Sequence, residues 1–341
     1  MVKKERLSTL FKHFSLHECK NSSNLYEHLA FKVSEDEELL DIASHAQAGQ
    51  PVPNLLFGAV HYLLLKGKHH ELRQFYRSLV NHPQEVERAF PPFRDFCLSF
   101  KRELIPILQE KLVQTNEVRR CAYLYPSFCF IYRQVKKPLS LLEIGTSAGL
   151  QLLWDLYQYD YGDDRSYGHI SSDILIRSEV KGNHQPFLLP ESPPVALRFG
   201  VDLHINNLSN YEDTLWMRSL IWPEHKERVE LFEKTVTVLK EQSLELIQGD
   251  GVELLPHIAE QIPEDTALCI FHTHVANQMP EESKLELMNH IQSIGKKRDV
   301  FHVYNNMWDR ALHLDSFIDG RESNRVLAET EGHARWFEWK M

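Results

Sequence analysis

The chain has 341 residues, 43% hydrophobic and 25% charged, and its 38 Lys+Arg against 48 Asp+Glu leave a net charge of −10. That is an ordinary globular composition with room for two domains, and the negative balance without a long basic run argues against nucleic acid as a partner. The longest apolar run, Leu55–Leu65, is broken by His61 and too short to span a bilayer, and Lys12 and His13 interrupt any leader after Arg6, so a cytoplasmic protein without a membrane partner is expected. The five cysteines are odd in number and form no C-x-x-C pair, which fits reduced interior thiols. The 19 histidines are scattered without metal-ligand spacing, so no metal is expected.

Residues 1–135 read as a helical domain. Asn54 is placed to cap an apolar helix Leu55–Leu65 that Gly67 ends, and Glu71–Val80 and Phe93–Val113 carry apolar residues at three- and four-residue steps. His82-Pro83 and Pro91-Pro92 punctuate the connections. From 136 to 341 strands alternate with helices, the pattern of a mostly parallel α/β sheet. The strands expected are Ser140–Ile144, Val195–Gly200, Leu244–Gln248, Ala267–Phe271 and Val300–Tyr304. Helices fit at Leu150–Leu156, Tyr211–Lys240, Val252–Gln261 and Glu282–Ile294, and Arg325–Glu329 with Arg335–Trp339 reads as an antiparallel C-terminal hairpin. The segment at about 157–190 predicts an inserted β-hairpin, a flap beside a ligand pocket, in which Tyr157, Tyr159 and Tyr161 alternate like a strand.

The most informative stretch is Leu139-Ser-Leu-Leu-Glu-Ile-Gly-Thr-Ser-Ala-Gly-Leu150, an apolar run ending in an acid, then a glycine turn and a helix. A strand that turns straight into a helix aims free backbone N–H groups at a ligand, and glycines let the backbone approach it. This stretch resembles the first motif of class I S-adenosylmethionine-dependent methyltransferases, with a Rossmann-like sheet closed by a C-terminal antiparallel hairpin. The resemblance implies S-adenosylmethionine as cofactor, with Glu143, Gly145, Ser147 and Gly149 around its methionine end. Asp202 would then take the ribose hydroxyls and Asp250 would sit beside the adenine. Asp202 follows Glu143 by 59 residues instead of the usual twenty or so, which the insertion would explain. Both aspartates also suit helix capping.

The same Gly145-Thr-Ser-Ala-Gly149 fits G-x-S-x-G, which leaves an esterase-like α/β-hydrolase with Ser147 as nucleophile as the alternative. No parallel strand precedes Pro138 to supply an oxyanion loop, and Glu143 has no role in that reading. A non-catalytic binding protein on a methyltransferase fold is the third possibility.

Taken together, Gln114-Thr-Asn-Glu117 with Arg120, Leu142-Glu-Ile-Gly145, Ser147-Ala-Gly-Leu150, Tyr157-x-Tyr-x-Tyr-Gly162, Arg165-Ser-Tyr-Gly168, Arg198-x-Gly-x-Asp202, Trp222-Pro-Glu224 and Gly249-Asp250 resemble the bacterial domain-of-unknown-function family 2332. Gln151 stands where that family's pattern has Asn. The resemblance implies a methyltransferase-like fold and leaves the substrate open.

Arg120 could pair with the donor's carboxylate and Asn116 could hydrogen-bond the acceptor, while Thr115 could cap a helix Glu117–Tyr125. His272 and His274 follow the fourth strand, where open α/β sheets bind ligands, and His272 is the candidate general base for a hydroxyl or carboxyl-bearing small molecule. Trp154 and the three tyrosines could wall an aromatic pocket, although a face packed on the core is the preferred reading. Trp222-Pro-Glu224 is assigned no chemistry. The methyl acceptor and the oligomeric state are not legible in the sequence.

Overall fold

The computed structural model describes residues 2–114 and 116–341, so the expected capping role of Thr115 lies outside the described residues. The chain divides into two compact units, Met1–Thr115 with Ser209–Glu230, and Asn116–Leu208 with Leu231–Met341. The expected boundary at 135 therefore moves, because the helix Cys121–Val135 packs on the sheet. Its Phe128 ring lies 4.6 Å from Trp154 and 5.4 Å from Phe271.

The first unit is helical. The helix Val52–Leu65 is buried almost all round, as its largely apolar sequence requires, and Tyr26 stacks on its Phe57 at 4.5 Å. The helix starts at Val52 with Pro53 in its first turn, so Asn54 sits inside it and does not cap it. Phe93–Val113 is two helices, Phe90–Ser99 and Lys101–Glu110, and of Glu71–Val80 only a 3₁₀ turn Glu71–Phe75 forms. Tyr211–Lys240 likewise breaks into Tyr211–Ser219 and Lys226–Leu239 around Trp222-Pro-Glu224. That break has a structural use. The Glu224 carboxylate accepts from Ser23 Oγ at 2.8 Å and from Leu25 N at 3.0 Å, completing the start of the helix Asn24–Val33.

The second unit is built on a mostly parallel nine-stranded sheet with helices. In chain order the strands of this unit are β1 (Leu139–Ile144), β2 (Gln158–Asp160), β3 (Tyr167–Gly168), β4 (Leu175–Arg177), β5 (Glu179–Lys181), β6 (Val195–Asp202), β7 (Glu245–Gln248), β8 (Ala267–His272), β9 (Val300–Tyr304), β10 (Leu312–Ile318), β11 (Arg321–Thr330) and β12 (Trp336–Trp339). The sheet runs β5-β12-β11-β10-β9-β8-β1-β6-β7, and the stretch from β9 to β7 is parallel throughout. β1 is wholly buried between two parallel neighbours, which is why it reads as a continuous apolar run. From β1 the chain goes to β6 on one side and later returns to β8 on the other, so the carboxyl ends of β1 and β8 flank a topological switch point.

Beyond β9 the sheet becomes an antiparallel meander. The expected C-terminal hairpin is there as β11 and β12, with Ala328 paired to Trp339. β10 was not expected, since His313, Asp315 and Ser316 give it a polar look. The insertion is also different from a flap. β2, β3 and β4 form a separate small sheet, and β5 joins the edge of the large one beside β12. Tyr157 and Tyr159 are fully buried, and Tyr159 stacks on Tyr125 at 4.3 Å, so the aromatic face belongs to the core. All five cysteines are buried free thiols. Among the described residues no helix is long and apolar enough to cross a membrane.

Candidate functional site

The turn after β1 is held in shape from both sides. Gly145, Ser147 and Gly149 take φ of +74°, +53° and +81°, which costs the two glycines little. A Cβ on Gly145 would fall 2.8 Å from Val275 Cγ1, and one on Gly149 would fall 2.7 Å from Leu244 Cδ1. Both glycines are therefore required by the packing of the turn itself, and the space beside them is taken by protein, not left open to a ligand.

The alternation Arg198-x-Gly-x-Asp202 on β6 explains itself against this turn. Residues two apart on a strand share a face, and all of these face the turn. Arg198 grips both oxygens of Asp155 at 2.8 Å and the Leu152 carbonyl, fixing the 3₁₀ helix Leu150–Leu156 that follows the turn. At Gly200 a Cβ would lie 2.6 Å from Thr146 Oγ1, so only glycine leaves room for that side chain. Asp202 accepts from Ser147 N at 2.8 Å through one oxygen and from His204 N at 3.0 Å through the other.

Glu143, at the end of β1, is 2% exposed and accepts from Thr146 Oγ1 at 2.7 Å. Burial holds its carboxyl well above the usual range, Asp202 pushes it further, and Arg120 and the Thr146 bond pull the other way. Asn116 Nδ2 donates to the Thr146 carbonyl at 2.6 Å, and among the described residues nothing bonds its buried Oδ1. Asp250 caps the helix Gly251–Gln261, accepting from Val252 N at 2.8 Å. Asp202 and Asp250 are both half-buried. They follow adjacent parallel strands, with Asp202 opposite Gln248.

Ser147 is buried, and its hydroxyl is bonded by Asn206 Nδ2 at 3.0 Å. An amide N–H donor cannot take a proton from that hydroxyl, so this partner does not act as the base a serine nucleophile requires.

The two histidines after β8 part company. His272 is the last residue of the strand and fully buried, with its Nε2 3.1 Å from His302 Nε2 and its ring stacked at 5.7 Å on Tyr304. Burial lowers its pKa to about 4. Two imidazole nitrogens this close must share one proton between donor and acceptor, so His272 is tied to His302 inside the sheet. His274 instead borders a cavity of about 630 Å³ that Asn306, Arg310, Glu331, Gly332 and Trp336 help to line. Burial, with Arg120 adding to it, lowers its pKa to about 3, so its imidazole is neutral.

The loop between β8 and the next helix links turn and cavity. Val275 packs on Gly145, while its neighbour His274 faces the cavity. Arg120 donates from Nε to the Gly332 carbonyl at 3.1 Å and from Nη1 to Thr273 Oγ1 at 3.5 Å. Gln151 accepts from that Thr273 hydroxyl at 2.9 Å and donates to the Glu117 carbonyl, so glutamine at this position ties the turn helix to both segments. The structure thus brings Asn116, Arg120, Glu143, Gly145, Ser147, Asp202 and His274 into one connected region, with Gly149 and Asp250 at its edge and His272 in the core behind it. Sequence reasoning missed Val275, Arg310 and Trp336, since no local pattern marks a residue that matters only through a distant loop.

Over residues 8–339 the chain matches the family described as an uncharacterized protein conserved in bacteria (DUF2332), and it belongs to that family. No curated protein and no solved structure matches it.

Proposed function

We propose that this family member is an S-adenosylmethionine-dependent methyltransferase that acts on a small molecule. The observation that carries the reading is the row of acids Glu143, Asp202 and Asp250 at or just beyond the carboxyl ends of the adjacent parallel strands β1, β6 and β7, beside the switch point. Open α/β sheets bind nucleotide-like ligands at such a place.

The residues present suit that donor. Asp202 and Asp250 are half-buried carboxylates suited to a ribose diol and an adenine amino group. Asn116 Oδ1, unbonded among the described residues, and the Glu143 carboxyl offer acceptors to an ammonium, and Arg120 offers a guanidinium to a carboxylate. When bound, the donor supplies an electrophilic methyl group on a sulfonium. The chain's own contribution is then to orient the acceptor and exclude water, which supplies much of the rate in a transfer of this kind. His274, neutral and at the cavity wall, is in the form that accepts a hydrogen bond from an acceptor's hydroxyl and so orients it, while its lowered pKa makes it too weak to take the base role expected of His272.

Isothermal titration of the full chain with S-adenosylmethionine and S-adenosylhomocysteine tests this. Saturable heat with both, lost in Asp250→Ala and weakened in Glu143→Gln, is the expected result. Absence of heat with either ligand overturns the donor assignment. Labelling of Ser147 by a fluorophosphonate would instead favour the hydrolase alternative.

A further inference from the structure

The cavity beside His274 has a chemistry of its own. Its volume of about 630 Å³ lies in the range that small organic ligands occupy. Trp336 gives it an aromatic wall, and Lys181 Nζ stands 4.3 Å from that ring's centroid. Two carboxylates line it, and both already have cationic partners. Glu329 is paired with Lys340 at 3.1 Å. Glu331 is paired with Arg335 at 3.2 Å and accepts from the backbone N–H groups of His333 and Arg335. Arg310 differs from them. It is exposed at the cavity and makes no hydrogen bond or ion pair among the described residues. Arg120 adds a second positive charge behind Gly332.

The histidine is held for use. His274 has φ of +58° and its neighbour across the cavity, Asn306, has φ of +55°. Such a conformation is uncommon in a residue with a Cβ and is favoured where the surroundings hold it. Here the fully buried Asn305 enforces it. Its Oδ1 accepts from His274 N at 3.0 Å, and its amide is fixed in turn by the Tyr123 hydroxyl at 3.2 Å. Among the described residues His274 Nε2 is buried without a partner.

We infer that this cavity binds a planar aromatic acid carrying a hydroxyl group, with its ring on Trp336, its carboxylate on Arg310 and its hydroxyl on His274 Nε2. A guanidinium fork with no partner among the described residues matches a carboxylate in two parallel hydrogen bonds, whereas a cationic ligand would meet two carboxylates that are already paired. The inference rests on the methyl-transfer reading only in making this molecule the acceptor, and binding is measurable without any donor.

The test titrates the full chain, in the absence of S-adenosylmethionine, with 4-hydroxybenzoate and with its neutral amide, 4-hydroxybenzamide. One charge-assisted pair predicts that the acid binds about tenfold tighter or more. Arg310 is exposed, so Arg310→Ala should keep the fold and reduce the acid to the affinity of the amide. Equal binding of acid and amide by the unaltered chain, no binding of the acid, or a preference that survives Arg310→Ala overturns the inference. The two proposals fail separately. A missing donor site leaves the acid preference intact, and a wrong cavity assignment leaves the donor heat intact.

Discussion

Gly145→Ala separates two accounts of the glycine turn. The new Cβ would fall 2.8 Å from Val275 Cγ1 and closer still to Cγ2, on a backbone with φ of +74°. The left-handed conformation costs an alanine about 1–2 kcal/mol, and forcing a methyl into a filled contact costs about 1–3 kcal/mol more. Gly145→Ala should therefore lose about 2–5 kcal/mol. Val275→Ala removes both γ carbons and should restore the packing part while leaving the backbone part. The double variant would then be less destabilised than the sum of the single ones, with a coupling of about 1–3 kcal/mol. Urea unfolding followed by tryptophan fluorescence on the four proteins of the cycle measures this. Additive effects would refute the contact. Full stability of Gly145→Ala together with lost S-adenosylmethionine affinity would show that the glycine is kept for a ligand and not for Val275.

Two further outcomes follow from buried titratable groups. Glu143 has a folded-state pKa well above its unfolded value because it is buried, so it weakens the fold increasingly as pH rises above about 4.5. Glu143→Gln, which keeps an acceptor for Thr146, should melt higher than wild type at pH 8 and show no such gain near pH 4; an unchanged melting temperature at pH 8 would count against a buried charge. His61, bonded to the Ser219 carbonyl at 2.9 Å and Ser78 Oγ at 2.8 Å, has its pKa lowered by burial from 6.5 to about 4. Its unfolded form takes up a proton first as pH falls, so stability is full above 6.5 and declines toward pH 4, by about 3 kcal/mol for this one group. Its imidazole signal should titrate near 4 in the folded chain, and a midpoint near 6.5 would refute the burial argument.

Local pattern determined a good deal of this protein. The apolar run of β1, its terminal acid and the glycine turn announced a strand passing directly into a helical turn, and alternation downstream announced the parallel partners of β1. The largely apolar helix, expected over Leu55–Leu65 and formed over Val52–Leu65, and the C-terminal hairpin were legible for the same reason, since burial on all sides or on one face leaves a mark in the sequence. Tertiary structure decided what periodicity cannot record. β10 hides its pairing behind His313, Asp315 and Ser316, and Tyr157 and Tyr159 could not announce whether they face a ligand or Tyr125. Asp202 illustrates the limit most clearly. The sequence marked it as an acid ending a strand, but only the fold decided that its two oxygens would hold Ser147 N and His204 N. Only the fold, too, set Val275 against Gly145 and His274 beside Arg310 and Trp336, because those contacts join segments whose sequence separation leaves no period to read.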